Sequence, residues 1–252
     1  MLIQIVSDLH LNINNITNFD DYIIKKEAEI LILNGDIGSL YIPEQLENFL
    51  TKMCNLFETV IYIFGNHEFY HNKEFVFQEM ITLKKEIYNI KKKLNNLYIL
   101  DKNSIQIKDI CIIGCTLWTN INKEQSIPKF RFKIPDMTNY KYRMLHNKDL
   151  AYIKKMIKYC NKNNLKIVIV SHYPPLDYLT DKPDSQNKWG YMYKNNLDYL
   201  ISNNNINTWI YGHTHHNKDF LSSNGTRIVS NQLGKITESI HTFSPSKIIE
   251  VK

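Results

Sequence analysis

The sequence predicts an α/β fold with a largely parallel sheet, on three observations. Short runs rich in Ile, Val and Leu recur at 2–6, 30–33, 59–64, 110–113, 166–170 and 208–211, each ending near a turn-forming or polar residue, as buried strands do. Longer amphipathic or charged stretches lie between several of them, at about 20–28, 44–57, 73–94, 147–162 and 194–203, so strands and helices alternate over the first two-thirds of the chain. A length of 252 residues with 43% hydrophobic content is enough for a substantial buried core.

After residue 207 the pattern changes. Trp209–Tyr211, Asp219–Leu221, Arg227–Val229 and Lys247–Val251 are separated only by turns such as Ser223-Asn224-Gly225, which predicts antiparallel strands. No stretch rich in Pro, Gly or Ser divides the chain and no repeat is visible, so residues 1–252 read as a single domain. The segment 119–146 mixes Pro128 and Pro135 with Lys129, Arg131, Lys133, Lys141 and Arg143 and several aromatics, and reads as a long irregular loop, of the kind that is commonly functional or mobile.

The net charge of +6 is spread over many lysines without a run that would make a nucleic-acid tail, and amounts to a mild attraction for anionic substrates. Cys54, Cys111, Cys115 and Cys160 form no CxxC pair, and the Cys111/Cys115 run is apolar, so buried thiols are expected rather than a disulfide or a metal site. The sequence opens directly on an apolar strand with no basic leader, and no apolar stretch reaches membrane-spanning length. A reducing, cytoplasmic location with no membrane partner is the resulting expectation.

Chemistry-bearing residues follow the strands. Asp8-Leu9-His10 comes directly after the first, and in an extended chain the i, i+2 spacing aims both side chains to one side, where one metal ion could hold both; in isolation the pair reads better as a solvated turn. Asn34-Gly35-Asp36 ends the second strand, where open α/β sheets place ligands, and alone it also reads as an ordinary turn. Gly65-Asn66-His67-Glu68 ends the third; if the backbone is extended there, Asn66 and His67 point to different sides, one to ligate and one to face a substrate. Later, His172 ends the run Val168–Ser171, and Gly212-His213-Thr214-His215 ends another, so that five histidines lie just beyond apolar runs. That recurrence favours a site over five separate structural histidines.

The order D-x-H, GD, GNHE, SH, GHTH from Asp8 to His215 resembles the signature of the calcineurin-like metallophosphoesterases, with all five motifs intact. The resemblance implies two mixed β-sheets packed as a sandwich flanked by helices. It implies that Asp8, His10, Asp36 and His215 hold one metal and Asp36, Asn66, His172 and His213 the second, with Asp36 bridging. It makes His67 the non-ligating histidine that contacts the scissile phosphate and protonates the leaving oxygen. Imidazole, carboxylate and amide ligands without thiolate suit two divalent ions such as Mn²⁺ first, with Fe, Zn, Ni or Mg as the other candidates. Two dications against two carboxylates leave a net positive site that attracts phosphate, and a bridging hydroxide needs no protein nucleophile. No Cys nucleophile motif or G-x-S-x-G elbow is present.

The function expected is therefore hydrolysis of a small nucleotide-like or cyclic phosphodiester, with Asn66, His67, Arg131 and Arg143 contacting the substrate. A serine/threonine protein phosphatase, or a nuclease with nucleic acid as substrate, are the rivals within the enzyme class. A catalytically silent protein-binding scaffold is the rival outside it, disfavoured because all seven ligand positions and His67 are intact. His71 and His216 fall outside the ligand set and read as surface or supporting residues. Nothing in the sequence fixes the oligomeric state.

Overall fold

Residues 1–18, 23–128, 132–180 and 189–251 are described by a computed structural model. Five strands form one sheet in the order β11-β1-β2-β3-β4: β1 (Leu2–Val6), β2 (Ile30–Asn34), β3 (Thr59–Ile63) and β4 (Leu97–Ile99) run parallel, and β11 (Ile248–Glu250) joins β1 antiparallel. The second sheet has the order β5-β6-β7-β8-β10-β9. Its centre, β6 (Ile110–Cys115), β7 (Lys166–Ser171), β8 (Thr208–Ile210) and β10 (Arg227–Val229), is parallel, and β5 (Asn103–Ile107) and β9 (Asp219–Leu221) close its edges antiparallel. Both sheets are thus mixed.

Side-chain alternation along the strands builds the layers. Ile3, Ile5, Ile30, Ile32, Ile61 and Ile63 of the first sheet meet Ile110, Ile112, Val168, Val170, Ile210 and Val229 of the second in one buried cluster, so the sheets pack face to face. The intervening residues point outward: Leu31, Leu33, Val60 and Tyr62 toward helices α1 (Pro43–Leu56) and α2 (Met80–Lys93), and Cys111, Ile113, Ile167, Ile169 and Trp209 toward α3 (Asn139–Lys162) and α4 (Asp198–Ser202). Because the central strands β2, β3, β6 and β7 have helices on one face and the other sheet on the other, they are apolar on both, which is why they read as continuous hydrophobic runs. Among the described residues no helix is long and apolar enough to cross a membrane.

Helix sequences explain their own faces. In α1, proline lies in the first turn, and Leu46, Phe49, Leu50 and Met53 recur at three- and four-residue spacing on the buried side. In α2 the same role falls to Met80, Leu83, Ile87 and Ile90.

Several expectations need correction. The predicted loop 119–146 ends early, because Thr138 caps α3, its hydroxyl accepting from the Lys141 backbone N–H at 3.1 Å, and Tyr142 and His146 then continue the buried stripe of Asp149, Ile153 and Ile157. No helix forms over 23–28; there the Gln4 amide donates to the Lys25 carbonyl and accepts from the Glu27 N–H, holding the segment against β1. Residues 19–22 lie outside the described residues. The stretches 73–94 and 194–203 shorten to α2 and α4, and β4 and β5 are additional strands. The strands after 207 are not all antiparallel: β8 pairs parallel with both β7 and β10. All four cysteines are free, three of them buried.

Candidate active site

The C-terminal ends of β1, β2, β3, β7 and β8 meet at one edge of the sandwich, and each strand is followed at once by one of the five motifs. The local backbone is not extended there. Asp8, His10, Asp36, His213 and His215 all have left-handed φ, between 47° and 70°, and His67 opens a 3-10 turn running to Phe69. Non-glycine residues held in this region cost on the order of 1–3 kcal/mol each and persist only where the surroundings over-determine them. The side chains of Asp8 and His10 converge because of these sharp reversals, not because of the two-residue period of a strand.

The seven predicted ligand residues do come together. His215 Nε2 lies 3.0 Å from His10 Nε2 and 3.4 Å from Asp8 Oδ1. Asp36 reaches both sides of the cluster, with Oδ2 3.9 Å from His10 Nε2 and Oδ1 3.4 Å from His172 Nε2. His172 Nε2 is also 3.1 Å from Asn66 Oδ1. Potential ligand atoms cluster within 4.8 Å of one another in three groups: Asp8, His10 and His215; His10, Asp36 and His67; Asp36, His172 and His213. Asp36 belongs to two of these groups and Asp8 to one.

A second layer holds the loops. Glu68, fully buried, accepts from the backbone N–H of Asp36 (3.0 Å), Ile37 (2.9 Å) and Gly65 (2.8 Å) and from the Tyr62 hydroxyl (2.8 Å), so one carboxylate ties the β2 and β3 loops together. The His67 N–H donates to Asp36 Oδ1 at 2.7 Å, and the His213 N–H donates to Asp8, 3.1 Å from each carboxylate oxygen. At Gly35, where φ is +82°, a Cβ would lie 2.5 Å from His172 Nδ1, so only glycine fits beside that imidazole.

Charge supplies the test of whether metals suit this site. Asp8 and Asp36 are 0% and 1% exposed, and among the described residues no Lys or Arg pairs with either. Burial acts against both carboxylates, yet the neighbouring imidazoles more than offset it and hold both below the usual carboxylate range, Asp36 strongly so. Burial likewise opposes charge on His172 and His215, but Asp36 raises the former to about 9, and Asp8 and Glu238 raise the latter to about 10. Two buried carboxylates whose countercharges among the described residues are imidazoles, with imidazole nitrogens turned toward each other, form a donor set that suits divalent cations. Burial pushes His67 the other way, down to about 3 against the opposing pull of Asp36, so its imidazole is neutral in the metal-free protein.

Above the cluster lies a cavity of ≈ 560 Å³. Asp36, Asn66, His67, His213 and His215 form its floor, Tyr70, Phe132, Tyr173, Trp189 and Tyr193 an aromatic wall, and Lys133 and Lys235 its cationic side chains. Of the two arginines predicted to touch substrate, Arg143 on α3 does not line this cavity and Arg131 lies outside the described residues, while Lys133 of the same segment does line it. Tyr142 is fully buried against Thr119, with 2.8 Å between their oxygens, and Tyr140 is exposed on α3, so neither belongs to the wall. His71 bonds to the Phe75 carbonyl and lies outside the cluster. Sequence reasoning missed Glu68 as an organiser, along with Trp189, Tyr193, Lys235 and Glu238; of these only Glu68, inside the GNHE motif, carried a signal that could have found it.

The family model described as calcineurin-like phosphoesterase matches residues 1–217. A protein of Acanthamoeba polyphaga mimivirus is 26% identical over 285 aligned positions, covering 99% of this chain and 96% of its own length. A metallophosphoesterase of Helicobacter pylori is 32% identical over 118 positions, 44% of this chain and 28% of its own. Among solved structures, the phosphopantetheinyl hydrolase of Mycobacterium tuberculosis superposes with a TM-score of 0.76 at 14% identity, over 99% of this chain and 95% of that one. A dimetal phosphatase from Danio rerio gives 0.57 at 12% identity, over 96% and 90%. At these identities the two structures speak for the fold.

Proposed function

The chain belongs to the calcineurin-like phosphoesterase family and is a metal-dependent phosphoester hydrolase, and from that premise we propose that it cleaves a small phosphodiester carrying a planar, nucleotide-like group. The observation that carries this reading is the aromatic wall directly above the metal-competent cluster. A base stacked on such side chains gains on the order of 1–3 kcal/mol, enough to orient the ester without a base-specific hydrogen bond. Lys133 and Lys235 have no ion-pair partner among the described residues and supply positive charge for a substrate anion.

In this reading Asp8, His10, Asp36 and His215 hold one ion and Asp36, Asn66, His172 and His213 the other, with Mn²⁺ the favoured metal. Two such ions supply an activated water and charge neutralisation at the entering and leaving oxygens. The protein's own residues set the rest. Asn66 offers its amide oxygen to the cluster and His67 faces the phosphate, where it protonates the departing oxygen. In this role the His67 imidazole acts as the general acid for the departing oxygen. The aromatic wall orients the organic group and excludes water from its face.

A substrate panel tests the proposal: bis-nitrophenyl phosphate, cyclic nucleotides, a phosphopeptide and single-stranded DNA, each with Mn²⁺, Fe²⁺, Zn²⁺, Ni²⁺ or Mg²⁺ added to metal-free protein. The expected result is highest kcat/KM on a nucleotide diester with Mn²⁺. Preference for the phosphopeptide, or for DNA with a length dependence, replaces this substrate class, and hydrolysis of nothing with any metal supports a protein-binding scaffold.

A further inference from the structure

The family model stops at residue 217, yet the chain beyond it returns to the metal-competent cluster. The Leu233 N–H donates to the Ser7 carbonyl (3.1 Å) and the Gly234 N–H to the Asp8 carbonyl (2.9 Å). The Asn14 side chain bridges the same two segments, its amide nitrogen donating to the Gly234 carbonyl (2.9 Å) and its oxygen accepting from the Ile236 N–H (3.0 Å). The chain is therefore laced to the loop that carries Asp8 and His10. A 3-10 turn, Ile236–Glu238, then delivers a carboxylate to the site: Glu238 Oε2 accepts from His215 Nδ1 and, at 3.0 Å, from the Lys235 N–H.

We propose that Glu238 is a positioning residue for the metal centre, its carboxylate fixing the His215 ring so that Nδ1 carries the hydrogen and Nε2 presents its lone pair to the Asp8 and His10 side. The proposal rests on the reading of His215 as a metal ligand. Its geometry is specific to this ring. The outer nitrogen of His172 is held by a neutral acceptor, the Asn34 carbonyl at 3.1 Å, and His10 Nδ1 is buried with no hydrogen-bond partner. Among the described residues only His215 has a carboxylate behind it. Such a contact sets the tautomer, prevents the ring from turning its N–H toward the ion, and makes the nitrogen a better donor. His215 needs this more than His10 or His172, because its side chain is 17% exposed, whereas theirs are fully buried and their rings confined by packing.

Removing an outer partner of this kind weakens metal binding about 10–100-fold. The experiment is a calorimetric titration of metal-free protein with Mn²⁺, comparing the unaltered chain with Glu238→Gln and His215→Ala, alongside thermal melting of each metal-free protein. The expected result is that Glu238→Gln weakens one of two Mn²⁺ sites by about 10–100-fold while the other site stays unchanged, and that His215→Ala abolishes the same site. Unchanged affinity in Glu238→Gln with a lost site in His215→Ala overturns the positioning role alone. Both ions retained by His215→Ala overturns the ligand reading and this proposal with it. Equal weakening of both sites together with a lower melting temperature makes Glu238 a fastening of the 234–239 segment, which also overturns it.

Discussion

Gly65 and Asp36 are packed so closely that a Cβ on Gly65 would lie 2.1 Å from Asp36 Oδ1 and 2.5 Å from the Asp36 backbone nitrogen. The two loops touch through backbone and carboxylate, and Glu68 clamps both from behind. Gly65→Ala must therefore displace the carboxylate shared by two of the metal-competent groups. Activity should fall by at least about a hundredfold, with metal content reduced, since moving a ligand or its support costs about 10–100-fold in affinity for each ion affected. Steady-state rates and elemental analysis of the variant check this, and full metal content with near-normal activity would contradict the geometry.

Asp36→Asn should harm the site more than Asp8→Asn. Asp36 lies within 3.4–3.9 Å of imidazoles on both sides of the cluster, whereas the imidazole that Asp8 meets within that range is that of His215, at 3.4 Å. The expected outcome is loss of both ions from Asp36→Asn and of one from Asp8→Asn. Equal metal content and equal residual rates in the two variants would remove the bridging assignment.

If His67 protonates the departing oxygen as proposed, its contribution should depend on the leaving group. Proton donation is worth about 10²–10⁴ in rate and matters most for a poorly leaving alkoxide, whereas a nitrophenolate departs without help. His67→Asn should keep its metal, lose about 10²-fold or more in kcat on a nucleoside ester, and lose much less on a nitrophenyl ester. Similar losses on both substrates would reduce His67 to a contact with the phosphate, and loss of metal would make it a ligand.

Away from the site, Asp219 joins β9 to its neighbours through Arg227 (2.8 and 2.9 Å) and Lys247 (2.5 Å). The hydrogen bonds from Arg227 and then Lys247 lower its pKa from 3.8 to about 2. A carboxylate depressed by folding contributes stability that is present above 3.8 and lost as pH falls through about 2. After allowance for solvent screening of a partly exposed group, this amounts to about 1 kcal/mol. Asp219→Asn should lower the melting temperature at pH 7 and lose that difference near pH 2; an equal deficit at both pH values would show that charge is not the cause.

Much of the molecule is legible in the sequence because the information is local. An apolar run bounded by polar residues specifies a strand covered on both faces, and Ile30–Asn34 or Lys166–Ser171 need no partner to be recognised. The residues of the metal-competent cluster are legible for a related reason, since each follows its strand by no more than a few positions and a fold that aligns strand ends brings them together. Local signals failed where a distant group decides the outcome. Residues 23–28 form no helix because the Gln4 amide takes the Lys25 carbonyl and the Glu27 N–H, and β8 lies parallel to β10 because the chain first forms the edge strand β9 and then returns by a hairpin into the place between β8 and β9.

The sequence by itself determined the alternation of strands and helices and the identity of the metal-competent residues, because hydrophobic period and side-chain chemistry are properties of neighbouring positions. Only the tertiary structure decided what surrounds that cluster. Trp189 and Tyr193 join Tyr70 and Phe132 in one wall, Glu68 clamps two loops, and Glu238 reaches His215 from 23 residues away. Each of these contacts comes from loops with no period of their own, whose positions are set by what the packed sheets leave for them to touch.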